Sequence, residues 1–360
     1  MQDKLMSRWL SPLMAFCLSF IVIAVLAPLA GIQSERQIDF WLLWFGVMFI
    51  LALPIVYLEI ALAKRSKTTA LNALMSLTRD ADVSQKWRWV GWAGAFFIPF
   101  LAGGLLYSAA TSLSLSGFSS MGLEVIYPVF VVGAIALSFV PRLIIVVLSF
   151  IVVLVTLVLG LNSAQDVQWQ WTAIEFSEWG AATILALVAN GLGLGLYWQS
   201  SLVAAQQSER ATHTAWPIWI AQLVAVIAFA YFSVTTAVSG YALIIALITV
   251  TALLLNLVRE QLIHRQLAVV VQWAMILVAL LVWCIPQSSE YLYLLLALLG
   301  LGICLIYALF AGWMMKISHL RKSMNFGNEA IYNLWRIAIR IILPLSILVA
   351  IISIVGKFFA

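Results

Sequence analysis

Two places in this sequence hold side chains whose type and spacing could do chemistry, and both are embedded in apolar runs. Glu59 stands in Pro54-Ile-Val-Tyr-Leu-Glu59-Ile-Ala-Leu-Ala-Lys64-Arg65. One reading is a buried carboxylate that accepts backbone N–H groups freed by a broken helix, or that takes up a proton. The other is a near-interface acid, about one turn before the basic pair, that reaches Lys64 or Arg65. Spacing alone leaves both open. The second place is Ala189-Asn190-Gly191-Leu-Gly193-Leu-Gly195. Three glycines at alternate positions each weaken a helix by roughly 1 kcal/mol relative to Ala, and they permit backbone conformations that other residues resist. Close helix packing through small residues is the competing reading. Glycines two apart do not share a helical face, so a helix break explains them better. Unwound backbone at membrane depth is tolerated where it lines a cavity, which is how transporters make binding sites. Asn190, Gly191, Gly193 and Gly195 are thus candidate substrate-binding positions.

Other chemistries are not signalled. There is no Gly-rich phosphate cradle ending in Gly-Lys-Ser/Thr, no His-Glu-x-x-His and no Gly-x-Ser-x-Gly elbow. Paired aspartates or a Ser/His pair at membrane depth, which intramembrane proteolysis needs, are missing as well. His213, His264 and His319 lie far apart beside charged residues, and Cys17, Cys284 and Cys304 read as packing residues without metal-ligand spacing. The sequence therefore predicts no enzyme, no cofactor and no metal site.

The elements that must position Glu59 and the glycines follow from composition. Of 360 residues, 64% are hydrophobic and 9% charged, against roughly 25% charged in a soluble domain. Apolar runs of about 20 residues, the length that crosses a bilayer core, recur along the whole chain. They predict helices over 10–31, 39–63, 87–116, 122–140, 142–162, 178–206, 214–237, 240–263, 266–285, 291–315 and 331–356. The partner is the lipid bilayer. The first run lacks a cleavage site and reads as a retained helix rather than a signal peptide. The net charge of +5 is spread over many short loops, so nucleic acid is not a partner. With the N-terminus inside, every Lys and Arg except Arg36 and Lys357 falls on the cytoplasmic side, the asymmetry expected of topology signals. Asp166, Glu175, Glu178 and Glu290 then lie outside, as does the C-terminus. Trp87, Trp89, Trp92, Trp169, Trp171 and Trp179 cluster near the predicted interfaces as an aromatic belt. No loop can hold a soluble domain, so 1–360 is one membrane domain.

The same segments carry a family resemblance. Leu51-Ala-Leu-Pro54-Ile-Val-Tyr-Leu-Glu59-Ile-Ala-Leu-Ala-Lys64-Arg65 resembles the second-helix pattern of the neurotransmitter:sodium symporter family, Gly-Ile-Pro followed by Leu-Glu-x-Ala-x-Gly-Arg. Lys86-Trp-Arg-Trp-Val-Gly-Trp92 is similar to the start of its third helix, and Gly191-Leu-Gly-Leu-Gly195 to its Ser-Leu-Gly-Phe-Gly unwound stretch. Glu260 to Val269 resembles its turn between helices eight and nine. Ala308-Leu-Phe-Ala-Gly-Trp313 and Leu334-Trp-Arg336 to Pro344-Leu-Ser-Ile-Leu348 look like helices ten and eleven of bacterial members. The resemblance implies an all-α LeuT-type fold of about 11 helices. It consists of inverted five-helix repeats over about 10–162 and 178–315 plus an extra helix at 331–356, with a central site between the first and sixth helices. It also implies that Glu59 braces the unwound backbone and that Tyr107, in Leu105-Leu-Tyr107-Ser-Ala, approaches a substrate carboxylate.

The chain departs from that family where sodium is held. With Pro28 taken as the family's first-helix proline, both asparagines of the family pattern fall on Cys17 and Ile23, its arginine falls on Leu26, and no glycine remains. This helix is expected to be unbroken. The eighth helix begins Ala242-Leu-Ile-Ile-Ala-Leu-Ile-Thr249, apolar at the ligand positions, and the seventh-helix ligand is Ala221 beside Gln222. The expectation is a secondary transporter for an amino acid or small amine, a small-molecule substrate, with sodium coupling lost or altered. The alternative is a transport-inactive scaffold or regulatory subunit that serves a membrane-protein partner. The short basic loops suggest a bacterial inner membrane.

Overall fold

The computed structural model describes residues 2–29, 36–116, 121–161, 169–235 and 240–359; Asp166 lies outside them. The apolar runs fold into α1 (Gln2–Leu29), α2 (Ile38–Ser66), α4 (Gln85–Leu115), α5 (Leu123–Leu137), α6 (Arg142–Leu161), α7 (Phe176–Ala189), α10 (Thr212–Thr235), α11 (Gly240–His264), α12 (Val269–Cys284), α13 (Ser289–Met314) and α15 (Glu329–Phe358). Among the described residues, eight helical spans are long and apolar enough to cross a membrane, and α5, α7 and α12 are shorter apolar helices. Eight plus three gives the eleven segments of the sequence reading. The helix starts and ends agree within a few residues, apart from α1, which begins at Gln2, and α7, which stops at Ala189 where the sequence reading runs on to 206. Polar amphipathic stretches form the extra helices α3 (Ala70–Ala81) and α14 (Ile317–Met324). Beyond the glycines the sixth segment resumes as α8 (Leu196–Ser200) and α9 (Leu202–Gln207). A two-residue parallel pairing joins β1 (Arg36–Gln37) to β2 (Trp169–Gln170).

Alternate crossings leave a signature in the loop contacts. At one end of the bundle, Lys64 donates to the Ser208 and Glu209 carbonyls and Arg65 pairs with Asp80. Arg142 meets Glu260 there, and Asn72 reaches the His264 carbonyl. At the other end, Asp39 accepts from Thr172, Tyr241 donates to the Ser116 carbonyl, and Tyr291 stacks edge-on against Phe358. Each contact joins helix ends that an eleven-crossing chain puts on one side. The basic loops thus share one end of the bundle.

The core is built around α1, which packs along α10 and α6, while α4 packs along α11 and α12, and α7 along α15. As the sequence predicts, α1 is continuous; it carries Pro12 and Pro28 without a break. In α2 the local irregularity has a clear cause. Pro54 cannot donate a helical hydrogen bond and its ring crowds the preceding turn. The chain therefore inserts a wider turn at Met48–Ala52, where Leu53 N–H donates to the Met48 carbonyl five residues back. The Pro54 carbonyl accepts the Trp335 indole N–H at 3.0 Å, and the Met48 carbonyl that of Trp219 at 3.0 Å. These bonds hold α2 against α15 and α10, and so fix the height of Glu59.

Two sequence expectations about side chains divide. Of the tryptophans assigned to the belt, Trp89 and Trp171 are exposed and Trp87, Trp92 and Trp179 half-buried, while the Trp169 side chain lies outside what is described; Trp44, Trp198, Trp219 and Trp283, not assigned to the belt, are core residues. Cys17 and Cys304 are buried packing residues, but Cys284 is exposed, because it falls in the tight turn that ends α12.

Candidate functional site

The sixth segment breaks at its glycines. α7 closes with a wide turn at Leu185–Ala189, and Leu192 N–H returns to the Leu187 carbonyl at 2.9 Å. Gly191, Gly193 and Gly195 have φ of +66°, +72° and +79°, left-handed values that a Cβ resists. The Gly191 and Leu192 N–H groups turn back to the Val188 and Leu187 carbonyls, while those of Gly193 and Trp198 turn to a common anion.

The anion is Glu59, which is buried. Gly193 N–H donates to its Oε1 at 2.6 Å and Trp198 N–H to its Oε2 at 3.1 Å, and the amides of Tyr197 and Gly195 also bond toward the carboxylate. Of the two readings of Glu59, the geometry is that of the carboxylate bracing a broken helix. Lys64 and Arg65 are engaged elsewhere, with loop carbonyls and with Asp80. Both carboxylate oxygens act as acceptors for backbone N–H groups of the break.

On the other side of the break is a buried polar cluster. Asn190 is fully buried, and its amide nitrogen donates to the Leu185 and Ala186 carbonyls at 3.0 and 3.1 Å. Carbonyls only accept, so these bonds fix which end of the amide is oxygen. Tyr197 O–H donates to the Asn190 carbonyl at 2.7 Å, and the Gln222 amide nitrogen approaches the same carbonyl at 3.4 Å. The Ser19 hydroxyl and the Gln222 amide also approach the Tyr197 oxygen. Asn190 Oδ1 and Gln222 Oε1 are left buried with no donor, and Ser19 Oγ makes no hydrogen bond within normal geometry. An unsatisfied buried acceptor costs about 1–3 kcal/mol. Two in one cluster leave hydrogen-bond acceptors unused beside the break. Sequence reasoning placed Asn190 and the glycines but did not assign Ser19, Tyr197 or Gln222 to the site. The available signal was a polar side chain within an apolar segment, expensive unless partnered.

Tyr107 does not join this cluster. Half-buried, it has its ring 6.3 Å from that of Tyr127 and 5.9 Å from that of Trp283, and it borders a separate cavity of about 410 Å³ with Glu124 and Gln287. The reason is Gly103-Gly104. The Trp283 indole lies across these two glycines, where a Cβ at Gly104 would be 2.8 Å from Trp283 Cζ2, and its N–H donates to the Phe100 carbonyl at 2.9 Å. That indole fills the face of α4 next to Tyr107.

The positions mapped to the family's first-helix asparagines, Cys17 and Ile23, and to its arginine, Leu26, are buried in α1 and carry no side-chain oxygen; Ala242 is buried in α11, and Ala221 lies half-buried beside Gln222. Among the described residues no three His, Cys, Asp or Glu side chains group as a metal site. The glycine break is itself closely packed. The Cys304 thiol donates to the Leu192 carbonyl at 2.8 Å, and a Cβ on Gly193 would overlap the Cys304 sulfur.

No protein-family model and no curated protein matches the chain. Solved structures do. MhsT in complex with L-phenylalanine superposes with a TM-score of 0.59 at 14% identity, covering 94% of this chain and 98% of that one. A manganese transporter of Eremococcus coleocola, bound to an aromatic bis-isothiourea compound, gives 0.62 at 14% identity over 99% of this chain and 88% of that one. A mutant of the same transporter gives 0.64 at 13% identity. The likeness shows the fold: a polytopic, all-α membrane protein of the LeuT type, shared with secondary transporters.

Proposed function

We propose that this transporter-like membrane protein carries a small amine or amino acid through a site at the break between α7 and α8, without the sodium ligands of the symporter family it resembles. The reading places it in a bacterial inner membrane with the N-terminus cytoplasmic. The observation that carries it is the pair of buried, donor-free amide oxygens on Asn190 and Gln222, beside the unwound backbone that Glu59 holds. Acceptor oxygens select a guest with N–H groups, and a primary ammonium offers three. The backbone N–H groups at the break are already taken by Glu59, so a substrate carboxylate would have to find its partner elsewhere. A proton delivered to Glu59 would remove the negative charge that strengthens these backbone hydrogen bonds and so loosen the break. That supplies a means of coupling to a proton rather than to sodium.

The test is uptake of a radiolabelled amino-acid and amine panel into proteoliposomes, with sodium and pH gradients varied independently. Uptake that is indifferent to replacing sodium by potassium, sensitive to the pH gradient, and lost in Asn190→Leu at unchanged melting temperature supports the reading. Uptake that requires sodium overturns the coupling argument. A second reading, a transport-inactive scaffold for a membrane-protein partner, draws on the unbroken α1 and on the Cys304 sulfur that fills the space against Gly193. It predicts no uptake and no ligand-dependent rise in melting temperature across the panel.

A further inference from the structure

A second site candidate lies at the opposite side of the molecule's functional logic, at the end of the bundle that gathers the basic loops. There a cavity of about 470 Å³ runs along one face of α3, past residues 72, 75, 76 and 79, and under the turn that links α11 to α12. Arg79, His264 and Arg265 line it, together with the neutral hydrogen-bonding groups of Ser66, Asn72 and Ser76. No carboxylate is among the lining residues, and the neighbouring Asp80 is held by Arg65 at 2.8 Å. The cationic charge of the cavity is thus not neutralised from within.

The arginine at its back is held in place rather than free. The Arg265 guanidinium donates to Asn72 Oδ1 at 3.2 Å and to the Met75 sulfur, and it lies 5.9 Å over the Trp92 ring. Asn72 in turn donates to the His264 carbonyl at 3.0 Å. This arrangement orients a planar, five-donor cation without using it up on an acid, which suits a phosphate oxygen pair. Immediately beyond the turn, Val269 and Val270 at the start of α12 are 65% and 80% exposed. An apolar ledge therefore adjoins the cationic cavity, the combination a phospholipid presents in mirror image.

We propose that this cavity binds the phosphate ester of an anionic ligand, most simply the headgroup of an anionic phospholipid whose acyl chains lie along Val269 and Val270. Free phosphate esters share the chemistry that Arg79, His264 and Arg265 recognise, so the test must separate the two sources. Protein purified in detergent is incubated with dioleoyl phosphatidylglycerol or dioleoyl phosphatidylcholine, and retained lipid is counted by native mass spectrometry. In parallel, melting is followed against inorganic phosphate. The expected result is selective retention of phosphatidylglycerol, weakened about fivefold by Arg79→Gln and by Arg265→Gln but unchanged by Lys357→Gln at the other end of the bundle. Arg79 is exposed, so Arg79→Gln decides the matter should Arg265→Gln fail to fold. Millimolar phosphate that raises the melting temperature and displaces the lipid, with the same dependence on Arg79, would assign the site to soluble phosphate esters. Protection by the lipid alone assigns it to the membrane. Equal retention of the two lipids with no effect of inorganic phosphate, or responses to lipid and phosphate that Arg79→Gln leaves unchanged, overturns the proposal. None of these outcomes depends on transport.

Discussion

Replacing Glu59 by Gln tests the structural logic of the site most directly. The carboxylate accepts from Gly193 N–H at 2.6 Å and Trp198 N–H at 3.1 Å, with the amides of Gly195 and Tyr197 bonding toward it. Gln has nearly the same shape but only one acceptor oxygen, and its NH₂ group faces a backbone donor wherever the second oxygen stood. One charge-assisted bond falls from about 1.5–3 kcal/mol to the roughly 1 kcal/mol of a neutral one, and one buried N–H loses its acceptor at about 1–3 kcal/mol. The sum is about 1.5–5 kcal/mol. Removing a buried charge recovers part of its desolvation cost, which sets the expected loss at the lower end of that range. The assay is thermal unfolding in detergent followed by tryptophan fluorescence, joined to hydrogen exchange across residues 189–198. Glu59→Gln should melt several degrees below the wild type, with faster exchange confined at first to the glycine break. Glu59→Asp, which keeps the charge but retracts it by one methylene, should fall between the two. A loss below about 1 kcal/mol, the size of an exposed ion pair, with unchanged exchange at Gly193 and Trp198, would refute the bracing role.

Gly193→Ala should be more damaging than Glu59→Gln, because the new Cβ meets the Cys304 sulfur and lies 3.1 Å from its Cα at a φ of +72°. Fluorescence-detected size exclusion should show little folded protein, and Gly193→Ala combined with Cys304→Ala should restore only part of it, since the backbone strain of about 1–3 kcal/mol remains. Trp283→Ala should cost about 3–5 kcal/mol, the range for deleting a buried aromatic side chain, read as a fall in melting temperature; a loss under 1 kcal/mol would contradict the packing across Gly103 and Gly104. Under native conditions a maleimide should modify Cys284 and spare Cys17 and Cys304, with all three reacting after denaturation, as counted by intact mass. In cells, an impermeant maleimide should reach Cys284 from outside, and protection there with labelling only after lysis would reverse the proposed orientation.

Much of the architecture was already legible in the chain. Hydrophobic runs fix the number of crossings because each must span the same hydrocarbon thickness, and the basic residues fix their alternation because they collect in every second loop. The break at Gly191, Gly193 and Gly195 was legible for a similar reason: alternate glycines have no advantage on a regular helix, only at left-handed positions. The continuity of α1 followed from the absence of glycine there. The ambiguity of Glu59 was different in kind. Its spacing from Lys64 and its burial inside the bundle were both consistent with the sequence, and only the tertiary structure brings Gly193 and Trp198, more than a hundred residues away, onto its two oxygens. The same holds for Tyr107, which the Trp283 indole turns toward Tyr127, and for the meeting of Ser19, Asn190, Tyr197 and Gln222 from three separate segments. Local sequence sets where a helix must end or bend, because that cost is paid within a few residues. Which polar group then satisfies the freed backbone is decided by helix packing, which no local pattern encodes.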